Sequence, residues 1–350
     1  KEVLTGKAKF GIFGDGKELA QIALAKFYKD GDWRSGYYRD QTFMMAVGAF
    51  SAQEFFAQLY GQTDVKLNPG NAGRTFNNHF ATRSLNDDGT WKDLTKQRNS
   101  TPDISPTAGQ MPRLLGLAWA SKLFRDNKEL SKYSKFSNNG NEVAFGTIGD
   151  ASTSEGHFWE TINAAAVMQV PMALAVWDDG YGISVPREYQ TTKGSISELL
   201  KGFEKGKSDS TGIYLYKVKG WDYSAMLKTF AEGVERARTE HVPVVFHVTE
   251  ITQPQGHSTS GSHERYKSPE RMKWEAEFDC NKRFHDWILQ ENIATEQELA
   301  ETEQRAINDA KIARDKAWDA YASPIKKERD ELIRIIDNRS CMCKREHIDK

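Results

Sequence analysis

The sequence predicts an α/β fold: a mostly parallel sheet with helices on both faces, plus a helical C-terminal extension. Three observations predict it. Residues 143–148, 170–177 and 242–248 are short apolar runs of the kind that form strands buried on both faces. Between the first two, Phe158, Ile162, Ala165 and Ala166 recur at helical spacing, and a second helical stretch, 223–239, leads into the third run. Strand, helix, strand in succession is a right-handed crossover, in which both strands point the same way.

The remaining elements follow in order. Leu19, Ile22, Ala23 and Phe27 predict a helix over 18–28, and the same period predicts one helix over 44–60 and another over 111–124. Ser152 and Glu155 have capping-box spacing, so Ala151 and Ser152 are expected to open the next helix. Residues 66–107 and 191–212 are polar and aperiodic and are expected as long loops, the second of them mobile. After Ser268 the sequence turns charged and helical. Phe284, Trp287 and Ile288 are expected to pack on the body, 307–321 to form an amphipathic helix, and Pro324 to end it. The expected division is an α/β domain over 1–267 and a helical extension over 268–350, suited to subunit contact.

Composition narrows the function classes. Across 350 residues, 49 acidic side chains nearly cancel 48 basic ones, so no global field recruits nucleic acid or an anionic membrane. No apolar stretch approaches the roughly 20 residues of a membrane span, and the start has no signal-peptide pattern. Cys280, Cys341 and Cys343 are too few for a disulfide framework, which suits a reducing, cytoplasmic setting. The start at Lys1 without methionine and the charged close are expected of a piece of a longer polypeptide.

The chemistry concentrates where two of the predicted strands end. Gly149-Asp150 and Asp178-Asp179 should emerge at the same carboxyl edge of the sheet, the edge where such folds bind ligands. Two carboxylates converging there suit magnesium, and a diphosphate is that ion's natural companion. Backbone N–H groups at Ala151 and Ser152 would favour the anion. Taken singly, Asp150 reads equally as a helix cap and Asp178-Asp179-Gly180 as a plain turn. The spacing favours a shared site, because the about 26 residues between Ala151 and Asp178 match one crossover helix and one returning strand.

Gly149-Asp150-Ala151 followed by Asp178-Asp179-Gly180-Tyr181 resembles the thiamine-diphosphate motif, Gly-Asp-Gly then Asn-Asn, of the alpha subunits of branched-chain and pyruvate dehydrogenase decarboxylases. The flanks 151–156 and 180–184 match too, as do Tyr37-Tyr38-Arg39-Asp40, the loop from Ser105-Pro106 to Gln110-Met111-Pro112, and Gly256-His257-Ser258-Thr259-Ser260. These segments keep the family's order over most of the chain. The resemblance implies magnesium on Asp150, Asp179 and the Tyr181 carbonyl, with Tyr38 and Arg39 at the diphosphate. It implies cofactor contacts from Ser105, Thr107, Gly149, Ala151, Ser152 and Ile183, and His257 as the catalytic histidine. The implied reaction is oxidative decarboxylation of a small 2-oxo acid with acyl transfer to a lipoyl group. A branched-chain substrate such as 2-oxoisovalerate is favoured over pyruvate or acetoin. The implied partners are a beta-type subunit or domain supplying the activating glutamate, in an alpha2beta2-like assembly, and a lipoyl-bearing acyltransferase core.

Several positions depart from the family: Asp179 for the metal-binding asparagine, with Asp178 adding a further charge, Trp177 for a phosphate-binding arginine, Thr107 for an aliphatic residue, and Gly261 for aspartate. Those at Asp179, Trp177 and Thr107 motivate a second reading, a non-catalytic assembly subunit of the same fold. A magnesium-dependent phosphotransferase would fit acidic strand ends, but the sequence offers neither a Walker-type loop nor a phosphorylatable Asp-x-Asp motif at them. Gly14-Asp15-Gly16 copies half of the cofactor motif without its partner and reads as a turn leading into a helix near the substrate pocket. Cys341, Cys343 and His347 lack the second ligand pair of a zinc site.

Overall fold

The structure, a computed structural model, describes residues 2–259 and 261–339. Six parallel strands form one sheet in the order β2-β1-β3-β4-β8-β7. The chain enters through α1 (Glu18–Ala25), β1 (Trp33–Ser35), α2 (Gln41–Ala46) and α3 (Ala52–Tyr60), then reaches β2 (Asn99–Ser100) and α4 (Gln110–Asp126). The crossover read from the sequence follows as β3 (Ala144–Gly149), α5 (Gly156–Met168) and β4 (Met172–Trp177). A short hairpin, β5 (Tyr181–Gly182) with β6 (Val185–Pro186), precedes α6 (Ile196–Leu200), β7 (Tyr214–Lys219), α7 (Tyr223–Glu240) and β8 (Val244–Thr249). Three helices close the described chain: α8 (Pro269–Glu277), α9 (Cys280–Gln290) and α10 (Glu296–Arg339).

The central strands β3, β4 and β8 are buried on both faces because they are apolar at nearly every position, β4 at all six. Along β4, Ala173, Ala175 and Trp177 enter the core shared with α1, α2 and α7, while Met172, Leu174 and Val176 enter the core shared with α4 and α5. The first core packs Leu24, Phe43, Phe230 and Phe246, and the second Met111, Leu114, Phe158 and Ile162. Among the described residues no helix is long and apolar enough to cross a membrane.

Several expectations are corrected. The stretch 44–60 is two helices rather than one: Gly48 takes φ +73°, and Ser51 with Glu54 forms the capping box that starts α3. Residues 66–107 are not loop throughout, since β2 pairs with β1 there. Residues 191–212 are not simply a mobile loop, because α6 buries Ile196 and Leu200 in the second core. The capping box at Ser152 and Glu155 does not form. Ala151–Ser154 is a 3-10 turn, and α5 starts only at Gly156 with no side-chain cap. Nor does Pro324 end its helix. It lies inside α10, just past Ala317, Trp318 and Tyr321, whose packing against Phe56 and Tyr60 of α3 holds the turn where one backbone donor is lost. Phe284 packs on the first core as expected, and α9 sets the rings of Phe284 and Trp287 at steep angles against Tyr223. Ser260, Cys341, Cys343 and His347 lie outside the described residues.

Candidate active site

β3 and β4 are hydrogen-bonded neighbours with Gly149 opposite Trp177, so Asp150 and Asp178-Asp179 leave the sheet side by side at its carboxyl edge. Asp150 and Asp179 both line a cavity of about 520 Å³ there. Burial pushes the Asp150 carboxyl well above its ordinary value of 3.8, and the charges of Asp179 and Asp178 push the same way. Asp178 is not part of the cavity lining and is held by neighbouring groups. Its Oδ1 accepts from Gly180 N at 3.0 Å, while its Oδ2 takes Arg187 Nη1 at 2.9 Å and His247 Nε2 at 2.8 Å. Burial alone would raise the Asp178 carboxyl, but the His247 hydrogen bond and the Arg187 charge outweigh it and hold the group below its ordinary range. Asp179 accepts from Tyr181 N at 3.1 Å through Oδ1 and from Lys17 Nζ at 2.9 Å through Oδ2.

Arg39 is the basic side chain of the cavity lining. Arg39 is buried and stacks on Tyr38 at 5.3 Å; its Nη2 donates to the His257 carbonyl at 2.9 Å and lies 3.1 Å from His257 Nδ1. A guanidinium can only donate, so Nδ1 accepts and the proton of the neutral ring sits on Nε2. Burial and the Arg39 charge push His257 down to about 4. In the free protein the ring is therefore expected to stay neutral from neutral pH down to about pH 5. Between 6.5 and about 4 the unfolded chain binds a proton that the folded chain does not, so acidification through that window destabilises the fold. Carbon-13 NMR of the ring reads this directly, and a midpoint near the ordinary 6.5 would refute it.

The sequence pattern of the dehydrogenase E1 component family matches residues 4–326. This chain belongs to that family. Among its relatives, the 2-oxoisovalerate dehydrogenase subunit alpha of Bacillus subtilis is 26% identical over 242 residues, covering 69% of this chain and 62% of the relative. The mitochondrial alpha subunit of the same name from Caenorhabditis elegans is 26% identical over 269 residues, 77% and 53% of the two chains. The mitochondrial subunit alpha 1 of Arabidopsis thaliana is 28% identical over 285 residues, 81% and 52%. The chain thus spans about half to three-fifths of the length of these curated relatives.

In this E1-family chain one cavity gathers every position that the resemblance assigns to the cofactor and metal: Tyr38, Arg39, Ser105, Thr107, Gly149, Asp150, Ala151, Ser152, Asp179, Tyr181, Ile183 and His257. Ile183 holds φ +60° at the mouth, a conformation that costs a β-branched residue on the order of 1–3 kcal/mol. The sequence reading missed Phe10, Ile12, Phe76, His79 and Gln253, which complete the wall. His79 Nε2 meets Ser105 Oγ at 3.0 Å. It missed Lys17 behind the wall as well. The turn 14–16 does lead into α1, and its sequence has a reason: Gly16 sits at φ +81°, where a Cβ would come within 2.1 Å of the Thr252 carbonyl oxygen. The E1-family helix α8, read from the sequence as part of an appendage, also braces the site, since Arg271 Nη2 donates to the Asp179 carbonyl at 2.8 Å.

Proposed function

We propose that this chain is the alpha-type half of a thiamine-diphosphate-dependent 2-oxo acid dehydrogenase, acting on branched-chain 2-oxo acids. The observation that carries this reading is the pairing of Asp150 and Asp179 at the ends of adjacent parallel strands, in a cavity that also holds Arg39 and His257. The residues present fit a magnesium-bound diphosphate. Asp150 is a buried carboxyl in an excess of negative charge, which a divalent ion would relieve. Tyr37 Oη and Trp177 Nε1 are buried on the same wall without a hydrogen-bond partner among the described residues, and both can donate to an anion. Asp150, Asp179 and the Tyr181 carbonyl would hold the ion.

The cofactor, when bound, supplies the electron sink for loss of carbon dioxide. The chain's own part is to bind, orient and keep the site dry. His257, neutral with its proton on Nε2, can donate to a substrate oxygen without bringing a competing charge to the diphosphate. Phe10, Ile12 and Phe76 give the cavity an apolar side, with the two phenyl rings 5.1 Å apart, which suits a branched aliphatic substituent better than a lone methyl group. The glutamate that activates the cofactor is assigned to a beta-type partner, and the acyl acceptor to a lipoyl-bearing acyltransferase core.

The test uses the chain together with its beta-type half. Calorimetry with thiamine diphosphate is expected to show binding that disappears when magnesium is chelated, and the loaded assembly is expected to turn over 2-oxoisovalerate faster than pyruvate. Absence of binding would favour a non-catalytic assembly subunit. A strong preference for pyruvate would overturn the substrate assignment alone.

A further inference from the structure

The site leaves one buried charge unexplained. Lys17 is 1% exposed, as buried as the surrounding core, although an ammonium is costly to remove from water unless it is paired. Its Nζ reaches Asp179 Oδ2 at 2.9 Å and Gln253 Oε1 at 2.9 Å. Asp179 and Gln253 line the cavity, whereas Lys17 approaches from behind them. Nothing about α1 requires a cation at its start. Lys17 is that helix's N-cap residue without a side-chain cap bond, and a positive charge at a helix N-terminus opposes the helix dipole. Folding therefore places Lys17 there at a local cost, against a carboxylate 162 residues away in the chain.

Charge bookkeeping at the sheet edge shows what that cost secures. Of the carboxylates at the strand ends, Asp178 is paired with Arg187 and hydrogen-bonded by His247, and Asp179 is paired with Lys17. Asp150 forms no ion pair with a basic side chain among the described residues, which leaves it to a divalent ion. We propose that Lys17 is the charge-compensating and positioning residue of the metal-diphosphate site. By neutralising Asp179 it lets an acidic ligand stand beside a polyanion, and by holding Oδ2 it fixes the carboxylate that Tyr181 N holds through Oδ1. The pair Lys17–Asp179 then acts as a neutral unit, equivalent to a single uncharged amide at position 179. This inference rests on the cofactor reading above.

The test is a double-mutant cycle on the complete protein with its beta-type half, read as the calorimetric affinity for thiamine diphosphate at saturating magnesium. Wild type must bind; if it does not, the cofactor reading fails and this inference with it. Given binding, Lys17→Met is expected to weaken affinity roughly 10–100-fold, and Lys17→Met with Asp179→Asn is expected to recover to within about threefold of wild type. A merely structural lysine would shift the unfolding midpoint and leave the affinity of the folded protein unchanged. Wild-type affinity in Lys17→Met would overturn the inference, and so would a double variant no better than the single one. Should Lys17→Met fail to fold, the double variant decides alone: wild-type-like affinity supports the pairing, and weak binding overturns it.

Discussion

Asp150→Asn is expected to stabilise the cofactor-free protein at about pH 8 while lowering its affinity for magnesium and thiamine diphosphate about a hundredfold or more, beyond what losing a ligand's supporting partner costs. The two effects have opposite signs because they come from one cause. Asp150 is an acid whose folded-state value lies well above its ordinary 3.8, chiefly through burial and then through Asp179 and Asp178. Between 3.8 and the raised value the folded chain keeps a proton that the unfolded chain has released, so stability falls as pH rises through that window, and the deficit persists above it. Asparagine has nearly the same shape, accepts as the carboxylate does, and carries no charge to desolvate. The variant should therefore unfold at a higher temperature than wild type at about pH 8 and lose that advantage near 3.8. The charge that destabilises the empty site is the charge that draws the metal. Cofactor affinity within threefold of wild type would remove Asp150 from the metal site, and an unfolding midpoint that moves down would contradict the burial argument.

The parallel core and the Asp150–Asp179 pairing were legible in the sequence for a physical reason. Strands buried on both faces are nearly continuous apolar runs, and a crossover helix has a minimum length, so pattern and spacing alone constrain where strand ends meet. The edges of the sheet were not legible. At one edge β2 and its neighbour β1 span only Asn99–Ser100 and Trp33–Ser35, too short for any period to register, and at the other edge β7 carries exposed Lys217 and Lys219 among Tyr214, Leu215, Tyr216 and Val218 because only part of it is covered. Lys17 was invisible for a related reason. A lysine in a polar turn ahead of a helix reads as solvated, and only the tertiary approach of 252–253 to the glycine turn buries it. Pro324 misled because a local rule was overridden by packing that sits one turn away on α3.

The largest loss of stability is expected from Arg34→Met, which leaves the cavity lining untouched. Arg34 lies on β1, and its side chain is 1% exposed. Its Nε donates to Asp40 Oδ2 at 2.8 Å, while Nη1 and Nη2 each reach a different oxygen of Asp103 at 3.1 Å. Asp40 follows Tyr38 and Arg39 directly, and Asp103 begins the segment that carries Ser105 and Thr107, so one guanidinium ties two walls of the cavity to the sheet. A buried ion network need not stabilise a fold relative to apolar residues, but removing one member strands the others without a counter-charge. Methionine here leaves the carboxylates of Asp40 and Asp103 buried at 0% and 1% side-chain exposure, and the expected cost is about 3–5 kcal/mol by chemical denaturation. Adding Asp40→Asn and Asp103→Asn should return much of it, since the penalty lies in the stranded charges rather than in lost attraction. Arg34→Lys should fall between, because an ammonium restores the charge but cannot span both partners as a planar fork does. A loss below about 1 kcal/mol for Arg34→Met, or a triple variant as unstable as the single one, would refute this account of how the two walls are held.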